Sequence, residues 1–272
     1  MPPATAPPSS VGERLKALVK GPQFVWWLGH ITLIFCSLMY LTYWITFRSA
    51  AGAHWYSRAF FGALVSYAVV VYKSFPQVQF TAQFAQTVFA EENVQYLLMA
   101  IFWWRSTPML APLIPYAIFA FFNSLNYIRT NILPAIYPPA PAGQSSPANA
   151  QITNVSRRIQ AWTEKNHAPA MALVAYVEVI GVMGSLILGA ITFQSSFLSP
   201  IVYANFLRFR YFFSIHTRTA FAVIRARLDN LITPAGQPSK HHPYIVQGYT
   251  ALRGAITRFG MAAVQQPANR AQ

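Results

Sequence analysis

Phe24-Val25-Trp26-Trp27-Leu28-Gly29-His30-Ile31-Thr32-Leu33-Ile34-Phe35-Cys36 opens a run that continues to Phe47 without one charged side chain, with His30 as its one histidine. About 20 predominantly apolar residues cross a bilayer as a helix, so residues 24–47 are long enough to span with some tilt. A cleaved signal peptide is the competing reading, because Ala51-Gly52-Ala53 has the small-x-small form of a cleavage site. The apolar core of a signal peptide is only about 7–15 residues, and the run is too long for it.

The whole chain agrees with a membrane solvent. Of 272 residues, 54% are hydrophobic, 15% aromatic and 10% charged, against roughly 25% charged in soluble domains. Lipid leaves only helices and closed barrels as spanning structures, and the apolar runs do not alternate as barrel strands do. The expected class is therefore all-α: a polytopic helical membrane protein with cytosolic amphipathic C-terminal helices. The single cysteine, Cys36, lies within the first run and excludes an intrachain disulfide framework.

Outward from the first run, residues 1–23 read as a disordered Pro/Ala/Ser start followed by a basic approach to the membrane. A linker at 48–58 leads to an apolar segment at 59–75, in which Lys73 snorkels to the interface, and Pro76 ends it. Residues 77–90 place Phe80, Phe84, Val88 and Phe89 at helical spacing among Gln and Thr, which suits a helix lying along the interface. The apolar stretch 94–104 has two readings, a re-entrant segment or the second half of a crossing that begins near Phe80, and the second is favoured. Residues 109–128 read as a crossing, with Asn123 and Asn126 near its end.

Residues 129–167 form the longest polar stretch, with a Pro-rich flexible linker at 136–150 and a basic segment after it. The crossing at 169–191 carries Gly181, Ser185 and Gly189 at four-residue intervals, a stripe that lets another helix approach closely. It also holds Glu178, the one acid deep in an apolar run. A helix-packing role is preferred for Glu178, with His30, an Asn of the preceding crossing or its own protonated state relieving the charge. The last apolar segment, 200–214, crosses only if Arg208 and Arg210 emerge at the cytosolic face.

From Pro200 onward nine Lys/Arg face one acid, Asp229. Phe221, Ile224, Leu228 and Leu231 repeat at spacings of three and four, with Arg218, Arg225 and Arg227 off the stripe. A Pro/Gly break at 234–238 follows. Ile245, Tyr249, Leu252, Ile256, Phe259 and Ala263 then keep the same rhythm, with Arg253 and Arg258 beside them. Both segments read as amphipathic helices on an anionic leaflet. The division is thus 1–23, a basic N-terminus; 24–128, an N-terminal membrane region; 129–167, a cytosolic linker and basic segment; 168–214, a C-terminal membrane hairpin; and 215–272, a basic amphipathic tail.

Lys/Arg concentrate in the N-terminus, in 129–167 and in the tail, and are absent from the turns at 106–108 and 192–199. The positive-inside rule then puts both termini in the cytosol, with Arg48 and Arg58 arguing the other way. On that orientation no glycan is expected on the sequon Asn154-Val155-Ser156. There is no phosphate-binding loop, no nucleophile elbow and no metal-type His/Cys spacing, so no enzyme, cofactor or metal is expected. Lipid head groups are a more economical partner than nucleic acid for a basic tail that follows apolar runs directly. The rival function is a small transporter or channel with an intramembrane polar site at Glu178.

Trp55-Tyr56-Ser57-Arg58-Ala59, Lys73-Ser74-Phe75-Pro76, Glu91-Glu92, Tyr96-Leu97-Leu98, Glu178-Val179 and Ser199-Pro200-Ile201-Val202-Tyr203 leading to Phe206-Leu207-Arg208-Phe209-Arg210-Tyr211 resemble, as an ordered set, the transmembrane protein 33 family. The resemblance covers roughly residues 24–232, with the tail and the Pro-rich linker reading as lineage-specific. It implies a multi-pass protein of the endoplasmic reticulum membrane and nuclear envelope, without known catalysis. It further implies links to nuclear pore complex assembly and distribution, to nucleoporins, to reticulon-type membrane-shaping proteins and to an importin. A C-terminal amphipathic helix that binds curved membrane is also implied, and the matching segment is 244–264.

Overall fold

The computed structural model describes residues 10–138, 147–234 and 241–261. The start of the N-terminal segment (1–9), the centre of the Pro-rich linker (139–146), most of the Pro/Gly break (235–240, with Lys240) and everything from 262, including Ala263, lie outside the described residues. The described structure is helical, with no strand among the described residues. In chain order the helices are α1 (Val11–Val19), α2 (Pro22–Ile45), α3 (Ala53–Ser74), α4 (Ala82–Ala90), α5 (Glu92–Arg105), α6 (Leu110–Tyr127), α7 (Leu133–Ile136), α8 (Pro147–Tyr176), α9 (Met183–Ile191), α10 (Leu198–Phe213), α11 (Ile215–Ile232) and α12 (Pro243–Met261). Contacts divide the chain into two compact units between Glu178 and Val179.

Local signals explain the starts and stops. Ser10 forms a reciprocal capping box with Glu13 at the start of α1, and Pro22 opens α2 where no donor is needed. Glu91 sits in extended conformation between α4 and α5, and its carboxylate accepts from the Val94 amide at 2.9 Å and from Asn93 Nδ2 at 2.7 Å. This cap breaks the continuous crossing from near Phe80. α4 is a separate, mostly exposed helix, and α5 alone has 14 residues.

The junction expected between 167 and 168 lies inside one helical path: residues Gln151–Ile191 run continuously and, with Pro22–Ile45, are long and apolar enough to cross a membrane. Pro169 is exposed within α8. It removes one backbone donor, and the helix runs on through it; on the N-terminal side Phe122 of α6 stacks on Trp162 at 5.9 Å and meets His167 edge-on at 5.4 Å. The path widens by one residue per turn over Val177–Val182, which re-aims Glu178.

The first unit is organised on α2 and α3. A methyl group added to Gly29 would lie 2.7 Å from the Gly62 carbonyl oxygen, and one on Gly62 would lie 2.6 Å from the Gly29 oxygen, so the two backbones touch at this crossing. Ser66 Oγ donates to the Trp26 carbonyl at 2.9 Å beside it. Small residues and a hydroxyl at the closest approach are what helix association in lipid requires.

Polarity is distributed as lipid demands. His30, Ser66, Gln95 and Glu178 are buried together with the tyrosines 40, 56, 67, 96 and 116, while Leu28, Phe35, Leu38, Phe61, Ile187 and Leu188 face outward. Polar side chains turned inward with large apolar side chains turned outward is the arrangement a lipid solvent favours. With the helical fold, it makes the chain an all-α membrane protein.

Two turns share one construction. At the end of α2 the amides of Phe47 and Arg48 bond the carbonyls of Trp44 (3.0 Å) and Tyr43 (2.8 Å). At the end of α9 the amides of Phe193 and Gln194 bond Ala190 (3.1 Å) and Gly189 (2.8 Å). Each is a Schellman closure, and the residue that must turn left-handed is a phenylalanine, at φ 55° and 56° respectively. Such a conformation costs a bulky residue about 1–3 kcal/mol, and glycine is the usual occupant.

The second unit corrects the expectation for Arg210. Tyr203, Phe206, Leu207 and Arg210 share the buried face of α10, so the i, i+3, i+4, i+7 register turns Arg210 inward, whereas emergence at the surface was expected. Arg208 lies with its guanidinium 5.0 Å from the Phe259 ring of α12.

Candidate membrane-contact site

α11 and α12 form a basic hairpin clasped by one acid. Ser214 caps α11 by accepting from the Thr217 amide at 3.3 Å, and Thr217 and Ala220 seat its first turns. Asp229 Oδ1 accepts from the Tyr249 hydroxyl at 2.6 Å and from Arg253 Nη1 at 2.9 Å, and Arg225 Nε lies 3.5 Å from Oδ2. The Tyr249 hydrogen bond, then that of Arg253, holds the Asp229 carboxyl below its ordinary value of 3.8. Desolvation first, then Asp229, raises the Tyr249 phenol.

The clasp sorts the residues read as membrane-binding. Ile245, Leu252, Ile256 and Phe259 are 52, 59, 52 and 41% exposed, with Arg258 exposed beside them. On α11, Arg218, Arg225, Arg227 and Leu228 are exposed, Arg218 also donating to the Phe212 carbonyl at 3.0 Å. Several are also engaged within the protein: Tyr249, Arg253 and Arg225 with Asp229, half-buried Phe221 with the Tyr211 ring at 5.7 Å, and Phe259 with the Arg208 guanidinium at 5.0 Å. The signal for the clasp lay in the lone tail acid, four residues after Arg225.

Glu178 closes the first unit from within. It is 1% exposed and accepts from the Tyr96 hydroxyl at 2.6 Å, while the Tyr116 hydroxyl donates to the Tyr96 carbonyl at 2.7 Å. Tyr96 is a partner that the sequence reading did not name. His30 Nε2 instead lies 3.4 Å from Asn123 Nδ2, and Asn126 Oδ1 accepts from Arg129 at 3.0 Å. Of the small-residue stripe, Ser185 Oγ donates to the Gly181 carbonyl of its own helix at 2.6 Å, and Gly189 faces Ser195 of the turn that follows. The Gly29/Gly62 contact instead brings two helix backbones together, a pairing that no spacing rule within a single segment reveals. Among the described residues no cluster of His, Cys, Asp or Glu is arranged to hold a metal ion.

The chain is 36% identical over 250 residues to the Chaetomium thermophilum protein named Nucleoporin POM33, covering 86% of this chain and 87% of that one. It is 32% identical to Tetra-spanning protein 1 of Schizosaccharomyces pombe, over 93% of this chain and 89% of the relative. Human Transmembrane protein 33 is 22% identical, over 78% and 80% respectively. No solved structure matches. The family described as Transmembrane protein 33/Nucleoporin POM33 matches residues 8–260, so the match takes in both the linker and the tail through most of α12, which the sequence reading had set apart as lineage-specific. With that coverage, the chain belongs to the Transmembrane protein 33/Nucleoporin POM33 family.

Proposed function

We propose that this chain is a non-enzymatic membrane protein of the endoplasmic reticulum and nuclear envelope that shapes or stabilises curved membrane and supports nuclear pore complex assembly. The relatives' names supply the compartment: a nucleoporin in Chaetomium thermophilum, and in Saccharomyces cerevisiae a pore membrane protein and a pore and endoplasmic reticulum protein. One observation carries the mechanism. Ile245, Leu252, Ile256 and Phe259 of the apolar stripe are exposed, while Tyr249 of the same stripe and the adjacent Arg253 are fastened to Asp229.

A leaflet takes that stripe as a shallow wedge. Each large apolar side chain contributes about 1.5–3 kcal/mol on full burial, and each arginine near an anionic surface about 1 kcal/mol. Arg218, Arg225, Arg227 and Arg258 supply the second term, and Leu228 lies with the inserted set. Both termini face the cytosol on this reading, so the wedge enters the cytosolic leaflet. Nucleoporins, reticulon-type proteins and an importin are the protein partners, the importin competing with lipid for the same arginines.

Flotation of a 215–264 peptide with anionic vesicles tests the wedge. Leu252→Glu with Ile256→Glu abolishes binding if the stripe inserts, and undiminished binding of that variant refutes the reading.

A further inference from the structure

The closures at the ends of α2 and α9 are built from one repeated pentapeptide, Ile45-Thr46-Phe47-Arg48-Ser49 and Ile191-Thr192-Phe193-Gln194-Ser195. The matches fall on the same structural positions. Ile45 and Ile191 are the last residues of their helices, and the threonine hydroxyls bond back to Thr42 O at 2.9 Å and Leu188 O at 2.8 Å. Phe47 and Phe193 take the left-handed position. These two are the positive-φ non-glycine residues among those described, and they are 98% and 82% exposed.

Folding within the chain gives no reason for a phenylalanine there. Glycine would close either turn without strain, and the strain leaves the Phe47 ring 98% exposed and the Phe193 ring, which meets Phe197 edge-on at 5.6 Å, still 82% exposed. A strained and largely exposed aromatic group used twice at the same point of the same motif points to an apolar environment outside the chain. Each lies at the C-terminal end of a helical path long and apolar enough to cross a membrane. Each is followed by exposed polar residues, Arg48 in one and Gln194 in the other.

We propose that Phe47 and Phe193 are interfacial anchors, whose rings enter the boundary between acyl chains and head groups of the leaflet in which each path ends, with Arg48 and Gln194 on its aqueous side. The left-handed turn sends the ring back toward the lipid as the chain leaves the membrane, and so sets the depth at which the span stops. This inference rests on the spans and not on the tail, so loss of vesicle binding by the 215–264 variant leaves it standing.

Cys36, the one cysteine and a buried one, makes the test simple. In a Cys36→Ala background, single cysteines replacing Phe47, Arg48, Phe193 or Gln194 carry a nitroxide in phosphatidylcholine proteoliposomes. Labels at 47 and 193 should be more accessible to oxygen and less to a nickel chelate than labels at 48 and 194; equal accessibility within either pair overturns the proposal. A second measurement leaves the label out. Phe47→Gly and Phe193→Gly relieve the backbone, so amide exchange in residues 43–48 and 189–194 slows in the same liposomes if the ring has no lipid role. Faster exchange in the glycine variants is the expected result, and slower or unchanged exchange counts against the anchors.

Discussion

At the residue scale, the most constrained positions have neighbours that only folding supplies. Gly29 and Gly62 hold the α2–α3 crossing with backbone atoms of the partner helix under 3 Å from any added methyl group. Gly62→Ala therefore forces the helices apart, at a cost of about 1–3 kcal/mol for overpacking, read as a lower unfolding midpoint in detergent. Glycine at 248 and 254 has open space where a methyl would go. Gly248→Ala with Gly254→Ala raises the helicity of α12 by about 1 kcal/mol per site, and vesicle binding of the 215–264 peptide tightens accordingly. Tyr96→Phe removes the hydroxyl that bonds Glu178 and costs about 1–3 kcal/mol, again measured by thermal unfolding. The Glu178 carboxylate was visible in the sequence as an outlier in an apolar run. Its partner was not, because Tyr96 is 82 residues away and looks like any aromatic of a membrane helix.

At the element scale, α11 and α12 behave as a hairpin whose geometry is set by one carboxylate. Asp229 has a folded-state pKa below its ordinary 3.8 because Tyr249 and Arg253 donate to it. A depressed carboxyl contributes its stability above the unfolded-state value and loses it as pH falls through the folded one. The hairpin should hold unchanged through neutral and mildly acidic pH and open only below the ordinary carboxylate range. Spin-label distances between Ala222 and Thr257 would follow that opening, and Asp229→Asn, which has no carboxyl to titrate, should loosen the hairpin already at neutral pH and remove this acid transition. The 3–4 rhythm announced both helices, since amphipathic period is a local property. Which members of the stripe stay outward was decided by the clasp, which took Tyr249 and Arg253 inward.

At the scale of the whole molecule, orientation is the open quantity with the cheapest check. Asn154 is exposed on α8, so a lumenal location would offer its sequon for modification; cells expressing the tagged chain should show no mass shift on endoglycosidase treatment. The sequence by itself determined the class: long uncharged runs force helices because lipid offers no partner for backbone amides, and that constraint acts segment by segment. It also determined the basic charge of the tail, its two helices and the family, which depend on residue order alone. Tertiary structure decided the close crossing at Gly29 and Gly62, the Tyr96 partner of Glu178, the inward turn of Arg210 and the division of α4 from α5 at Glu91. It also joined α8 across Pro169 where composition suggested a boundary. Except for the local Glu91 cap, these rest on side chains brought together from distant positions or on register within a packed face, and neither composition nor spacing within one segment carries that information.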